Sequence, residues 1–151
     1  IPIHKTNRGG KYTYHGPGMK IIYVMLDLKE FLPQINQISP NRRISENWVI
    51  DVLAEYGIKG EIRKDRVGIW VKNKNNENKI AAIGIKVKKW TTYHGIAINI
   101  NPDLTAFQNI IPCGIKEFGV TSMAKEKIAK IANFDEIIQE KFDKLSATLL
   151  S

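Results

Sequence analysis

The chain of 151 residues holds one cysteine, Cys113, in the stretch IIPCGIKEFG, Ile110–Gly119. Pro112 fixes the backbone before it, and Gly114 leaves the approach to the sulfur uncrowded. That setting suits a nucleophile on a tight turn. It equally suits a buried cysteine packed as a small hydrophobe. A free thiol with a pKa of about 8.5 is only a few per cent thiolate at neutral pH, so a catalytic cysteine needs a base or a cation beside it. His15, His94 and several lysines are candidates. A lysine serves twice, because its charge favours the thiolate and, once desolvated, it relays protons. Lys79 stands out by position, joining a polar loop to a glycine-containing strand pattern, whereas most other lysines read as solvated surface charge.

Glycines supply a second pattern. Gly9-Gly10, Gly16-x-Gly18, Gly84, Gly95 and Gly114 fall within strand patterns or at their ends, where glycine marks close approach of a ligand or another backbone. The opening stretch NRGGKYTYHGPGMK, Asn7–Lys20, is rich in glycine but lacks the GxxxxGK[ST] spacing of a nucleotide loop. His4, His15 and His94 lack the i, i+4 helical spacing of an HExxH site, and no cysteine cluster accompanies them, so no metal is expected.

These groups need a scaffold to hold them. Met19–Leu28 is an almost continuous apolar run and reads as a buried strand. Pro33–Arg43 reads as a polar loop. Ser45 then caps a helix with the stripe Ile44, Trp48, Val52 and Tyr56, stopped by Gly57. Val67–Val71 is a strand, Lys72–Asn78 a hairpin loop and Lys79–Lys89 the return strand, with Ile83, Ile85 and Val87 on one face. Tyr93–Ile100 is a further strand, and Asn101–Leu104 a turn. Thr121 or Ser122 caps a short helical segment to Ala132. Asn133 and Glu136 then open a second helix with the stripe Phe134, Ile137, Ile138, Phe142 and Leu145. Strands first, with few and partly terminal helices, indicate an α+β fold with a mixed or antiparallel sheet.

Composition bounds the rest. Hydrophobic residues at 43% and charged residues at 25% are ordinary for one globular domain. The longest apolar run is too short to span a bilayer, and a single cysteine points to a reducing compartment. The 23 basic and 15 acidic residues leave a net charge of +8, which suits an anionic partner such as nucleic acid, a membrane surface or an acidic protein.

Four segments in order, RGGKYTYHGPG (Arg8–Gly18), KIAAIGIKV (Lys79–Val87), YHGIAINI (Tyr93–Ile100) and IIPCGI (Ile110–Ile115), make the chain resemble the octanoyltransferases of lipoate synthesis, the lipoyl(octanoyl) transferase or lipoate–protein ligase B family. The resemblance runs to about residue 122. It implies a mixed β-sheet flanked by helices, like the core of biotin protein ligases and class II aminoacyl-tRNA synthetases. It further implies transfer of octanoyl from octanoyl-acyl carrier protein to a lysine of the lipoyl domains of 2-oxoacid dehydrogenase complexes and of the glycine cleavage H protein. By motif, Cys113 falls on the nucleophile that forms the acyl thioester, and Lys79 on the partner that lowers its pKa. Arg8, Gly9, Gly10, Lys11, Tyr12, Thr13, Tyr14 and His15 fall on the first substrate-binding segment. Ala82, Ile83 and Gly84 fall on the second, and Gly95, Ile96 and Ala97 on the third.

In this light Ala82, Gly84, Gly95 and Ala97 leave room for an eight-carbon chain, and backbone N–H groups of the glycine-rich segments are candidates for stabilising an oxyanion. No cofactor is expected, because a thioester donor is already activated; an acidic carrier would suit the +8 charge. Met19 stands where the family usually has Gln, so no polar contact is expected there. Family members carry a substantial segment before the RGG motif, so residues 1–151 are expected to be a single catalytic domain lacking its start. The expected location is the cytoplasm, with no membrane and no nucleic-acid partner. Two alternatives are an ATP-dependent lipoate or biotin ligase of the same fold, which needs no cysteine, and a basic nucleic-acid-binding module that would use Trp48, Trp70 and Trp90.

Overall fold

A computed structural model describes the chain except residues 1, 9–11, 32–37, 111–117, 129 and 151. In chain order the elements are β1 (Met19–Tyr23), α1 (Leu28–Phe31), α2 (Ile38–Ala54), β2 (Gly60–Glu61), β3 (Ile69–Asn73), β4 (Asn76–Ile83), β5 (Lys86–Lys88), β6 (Thr91–Tyr93), β7 (Gly95–Asn99), a 3₁₀ helix (Leu104–Asn109), β8 (Gly119–Val120) and α3 (Phe134–Leu150). One six-stranded sheet runs β1-β7-β4-β3-β2 with antiparallel neighbours, and β8 pairs with β4 in parallel. β5 and β6 form a separate two-stranded hairpin. The α+β class with a mixed sheet and flanking helices is as expected. Among the described residues no helix is long and apolar enough to cross a membrane.

One face of the sheet carries the core. Ile69, Val71, Ile80, Ala81, Ile96 and Ile98 pack with Trp48, Val49, Val52 and Leu53 of α2, with Met123, and with Ile138 of α3. Burying each of the larger of these is worth about 1.5–3 kcal/mol. The two helices lock together through aromatic pairs. Trp48 meets Phe142 at 5.2 Å between ring centroids and Tyr56 meets Phe134 at 5.6 Å, while Trp48 Nε1 donates to Ile138 O at 3.2 Å.

Several element boundaries differ from expectation. β1 stops at Tyr23, because beyond it the chain leaves β7 for β6. Val24 N donates to His94 O, Thr92 N donates to Leu26 O, and the Thr92 hydroxyl donates to Val24 O. Leu28 is buried as the start of α1, not as strand. α2 begins at Ile38, so Ser45 is a buried interior residue of the helix and not its cap. Pro40 is compatible with this start, since N–H groups in a first turn have no intrahelical acceptor. The 72–78 loop shrinks to a two-residue turn at 74–75 with Asn76–Asn78 in strand. The return strand breaks after Ile83, where Gly84 N bonds Gly95 O and the chain departs into the hairpin. Thr121 and Ser122 start no helix. Thr121 N donates to Lys79 O, Met123 N to Asn99 O and Ala124 N to Ile100 O, which commits this stretch to sheet ends and a turn. The helix after Asn133 and the stop at Gly57, whose N–H bonds Ala54 O, are as expected.

Glu46 of α2 is fully buried, 3.5 Å from Arg42 Nε. Burial pushes its pKa above the usual glutamate value, while the Arg42 charge and the Gly68 N–H pull it back. A raised folded-state pKa means that the folded chain holds this proton more tightly than the unfolded chain. Its contribution to stability is therefore present below about pH 4.5 and lost as pH rises through the folded value. Glu46→Gln removes that titration. Its melting temperature relative to wild type should rise between about pH 4.5 and pH 7, and a difference constant with pH would contradict the assignment.

Candidate active site

The β1–β7 register builds the floor of a cavity of about 410 Å³. Met19 faces Asn99, Ile21 faces Ala97 and Tyr23 faces Gly95, and all six line the cavity. Directly opposed antiparallel residues share a face, so one period-2 row on each strand makes the surface. Ala82 pairs with Ala97 and extends it onto β4. Phe107 of the 3₁₀ helix and Val120 of β8 also line it, as do Arg8, Tyr12, Thr13 and His15 of the opening segment.

Lys79 reaches this cavity because β4 carries a bulge. Ile69 pairs with Ala81 but Trp70 pairs with Lys79, so Ile80 is an extra residue on β4. Without it, alternation from Ala82 would send Ile80 to the cavity and Lys79 to the core. With it, Ile80 is a fully buried core residue and Lys79 lines the cavity beside Ala82. Bulges re-aim side chains in this way next to active sites.

The lysine stem lies across Gly68. A Cβ there would fall 2.6 Å from Lys79 Cε, 3.2 Å from its Nζ and 2.6 Å from Ala81 O, and Gly68 has φ +118. Lys79 is 4% exposed, and its Nζ stands 5.1 Å from the centroid of the buried Trp70 ring. Arg66 braces that ring, its guanidinium 4.7 Å from Trp70 and 3.8 Å from Phe118. The Glu77 carboxylate holds both Arg66 and Arg63.

Cys113, Gly9, Gly10 and Lys11 lie outside the described residues. The described chain on either side of Cys113 is anchored at the cavity, through Phe107 before it and Val120 after it. β8 is tied down by its pairing to Asn78 and Lys79 and by the Asn99 side chain, which donates to Thr121 O at 2.9 Å.

Among the other candidates, Arg8, Tyr12, Thr13, His15, Ala82, Ile83, Gly84, Gly95, Ile96 and Ala97 are brought together at the cavity. Tyr14 does not line it; the ring stacks edge-on against Phe107 at 5.5 Å and supports the wall from behind. Burial, and secondly the Arg8 charge, lower the His15 pKa, which keeps this imidazole uncharged at neutral pH. His94 lines the cavity with φ +61, and its buried Nε2 has no hydrogen-bond partner among the described residues.

Two expectations need correcting in part. The Gly84 N–H is spent on Gly95 O and is not free for an oxyanion. Gly95 is small first of all because β1 passes over it, a Cβ there falling 1.8 Å from Ile22 O. Sequence reasoning missed Ile21, Tyr23, Asn99, Phe107 and Val120 as lining residues. The 19, 21, 23 alternation was available in principle, but an all-apolar run hides it. Among the described residues no group of three or more His, Cys, Asp or Glu is placed to hold a metal.

The family model for the lipoyl protein ligase A/B catalytic domain matches residues 1–143. An octanoyltransferase of Wolbachia pipientis subsp. Culex pipiens is 51% identical over 146 residues, covering 96% of this chain and 70% of the relative. One of Ehrlichia chaffeensis is 44% identical over 148 residues, covering 96% and 67%. The fold is similar to that of a lipoate-protein ligase A solved with ATP, with a TM-score of 0.70 at 15% identity, covering 95% of this chain and 64% of that one. It is also similar to the biotin protein ligase of Aquifex aeolicus, with a TM-score of 0.60 at 20% identity, covering 87% and 52%. The chain thus spans about two thirds of these relatives' length and between half and two thirds of the solved structures. By this match over residues 1–143 and by the identity of these relatives, the chain belongs to the lipoyl protein ligase A/B catalytic domain family, its sequence standing with the octanoyltransferases.

Proposed function

We propose that this chain transfers an octanoyl group from octanoyl-acyl carrier protein to a lysine of lipoyl domains through a thioester on Cys113, the first step of endogenous protein lipoylation. The observation that carries the reading is the Lys79 ammonium, turned by a bulge into a cavity whose walls include both described flanks of the cysteine segment. In the first step the Cys113 thiolate attacks the donor carbonyl. The donor C–S bond breaks, the carrier thiol leaves and takes up a proton, and Cys113 holds the acyl group as a thioester. Lys79 favours the thiolate by charge and passes the proton to the leaving sulfur. In the second step the acceptor lysine amine attacks the thioester carbonyl. The amide forms as the Cys113 C–S bond breaks, and the Lys79 amine, left neutral by the first step, takes up the proton of the attacking amine, which restores the starting thiolate and ammonium.

The alkyl chain lies along Ile21, Ala82 and Ala97, in a volume ordinary for a small-ligand site. A thioester donor needs no adenylation, so no ATP is consumed. The acceptors are the lipoyl domains of 2-oxoacid dehydrogenase complexes and of the glycine cleavage H protein, and the cytoplasm is the location that fits a free thiol nucleophile. Incubation with octanoyl-acyl carrier protein, without ATP, should give an octanoyl adduct by intact mass that maps to Cys113, is cleaved by hydroxylamine and is discharged by an apo-lipoyl domain. Octanoylation of the acceptor that depends on ATP and bypasses Cys113 would overturn the reading.

A further inference from the structure

The charge of this protein is unevenly spread along its sequence. Residues 1–26 and 78–102 contain eight basic side chains and no acidic one, while the other 15 basic residues are matched by the 15 acidic ones. Those two stretches supply most of the cavity wall. Between Gly84 and His94, both lining residues, the chain leaves the sheet as the β5–β6 hairpin, so the hairpin rises from the cavity's own rim. It carries Lys86, Lys88 and Lys89, the last two exposed, and Lys86 Nζ donates to Asn7 Oδ1 at 3.1 Å, tying it to the opening segment. The Asp27–Glu30 stretch runs beside the tip, where Asp27 pairs with Thr91 and Leu28 N donates to Trp90 O at 2.7 Å. The Asp27 carboxylate is engaged by the Lys29 N–H.

The hairpin turn is built against its own preference. Lys88 pairs with Thr91, leaving a two-residue turn of Lys89 and Trp90, with φ 50 and 68. Both central residues in the left-handed region make the turn type that Asn-Gly adopts without strain. Here a lysine and a tryptophan adopt it, and Trp90 is 41% exposed. Strain held at an exposed position, with a large apolar ring turned to solvent, marks a recognition surface.

We infer that the β5–β6 hairpin tip, Lys88-Lys89-Trp90, is the docking surface for an acidic carrier protein that delivers the acyl chain into the adjoining cavity. This rests on the octanoyl-transfer reading. Charge complementarity favours the occupant: the three lysines of the hairpin outnumber the two carboxylates of the Asp27–Glu30 stretch beside it, an excess that speeds encounter with an acidic protein, and Trp90 supplies a short-range apolar anchor.

The test compares wild type with Lys89→Asn/Trp90→Gly and with Lys88→Glu. Acylation is followed by intact mass with octanoyl on an acyl carrier protein and with octanoyl pantetheine, a small thioester. The turn variant should melt higher than wild type, yet use the carrier-borne donor with kcat/KM roughly tenfold lower, while octanoyl pantetheine is used as well as by wild type. Lys88→Glu should show the same selective loss, closing at about 1 M salt, where the screening length is about 3 Å. Full use of the carrier-borne donor by both variants overturns the inference. So does equal loss with both donors, or a loss confined to transfer from preformed acyl-enzyme to a lipoyl domain, which would give the surface to the acceptor. Wild type acylated by neither donor fails at the earlier reading of the reaction itself.

Discussion

Lys79→Ala should slow formation of the octanoyl-enzyme about 10²- to 10⁴-fold, the range for loss of a positioned acid–base group, with little change in the donor concentration at half-saturation. The proposed resting surface of the donor's alkyl chain, Ile21, Ala82 and Ala97, lines the cavity and is left in place by the substitution. What is lost is the ammonium that the bulge at Ile80 turns to the cavity and that Gly68 and the Trp70 ring hold there. Because an emptied lysine site could also loosen the sheet, Lys79→Met is the sharper variant. It keeps an unbranched stem across Gly68 and deletes only the charge, and it should be as slow as alanine. In both variants the rate of Cys113 alkylation by iodoacetamide should shift to higher pH, since the proposed mechanism has Lys79 as the cation that favours the thiolate. Single-turnover acylation by Lys79→Met at the wild-type rate would remove the lysine from the mechanism.

Gly95→Ala should cost about 3 kcal/mol or more, the upper end for forcing an atom into packed structure. The added Cβ would meet backbone, 1.8 Å from Ile22 O, 2.8 Å from Ile22 C and 3.0 Å from Tyr23 Cα, and backbone has no rotamer by which to give way. The chain must instead pull β1 off β7, which opens the Tyr23–Gly95 end of the cavity floor. For a chain of this size the melting temperature should drop by roughly 6–12 °C. Acylation should fall with it even at temperatures where the variant stays folded. An unchanged melting temperature would contradict the β1–β7 register.

How much of this was legible in the sequence depends on whether a local pattern had one physical interpretation. The alternation of Ile96 and Ile98 against Gly95, Ala97 and Asn99 translates directly into a core face and a cavity face, and the helix after Asn133 announces itself through cap and stripe. The ordered motifs gathered most of the cavity wall before any coordinates did. Lys79 could be named from its motif, but not aimed, because Lys-Ile-Ala-Ala reads as plain alternation and the bulge exists only relative to β3. The apolar run after Gly18 hid the floor row of Met19, Ile21 and Tyr23, since a strand apolar on both faces shows no period. Pro40 masked the start of α2, a residue that breaks helices in their interior and is tolerated in their first turn.

The parallel pairing of β8 with β4 also sets an order of assembly. β3 and β4 are joined by a two-residue turn, a local contact of the kind that forms in about 1–10 μs. β8 comes back beside Asn78 and Lys79 from far along the chain, a non-local parallel contact that pays its loop-closure entropy before it is rewarded. Lys79 is thus set by a local pairing that forms early, and β8 closes beside it late. On the octanoyl-transfer proposal, a nascent chain carries a thiol with the reactivity of any free cysteine until β8 closes beside Lys79, so that completion of the fold is itself the safeguard against premature chemistry.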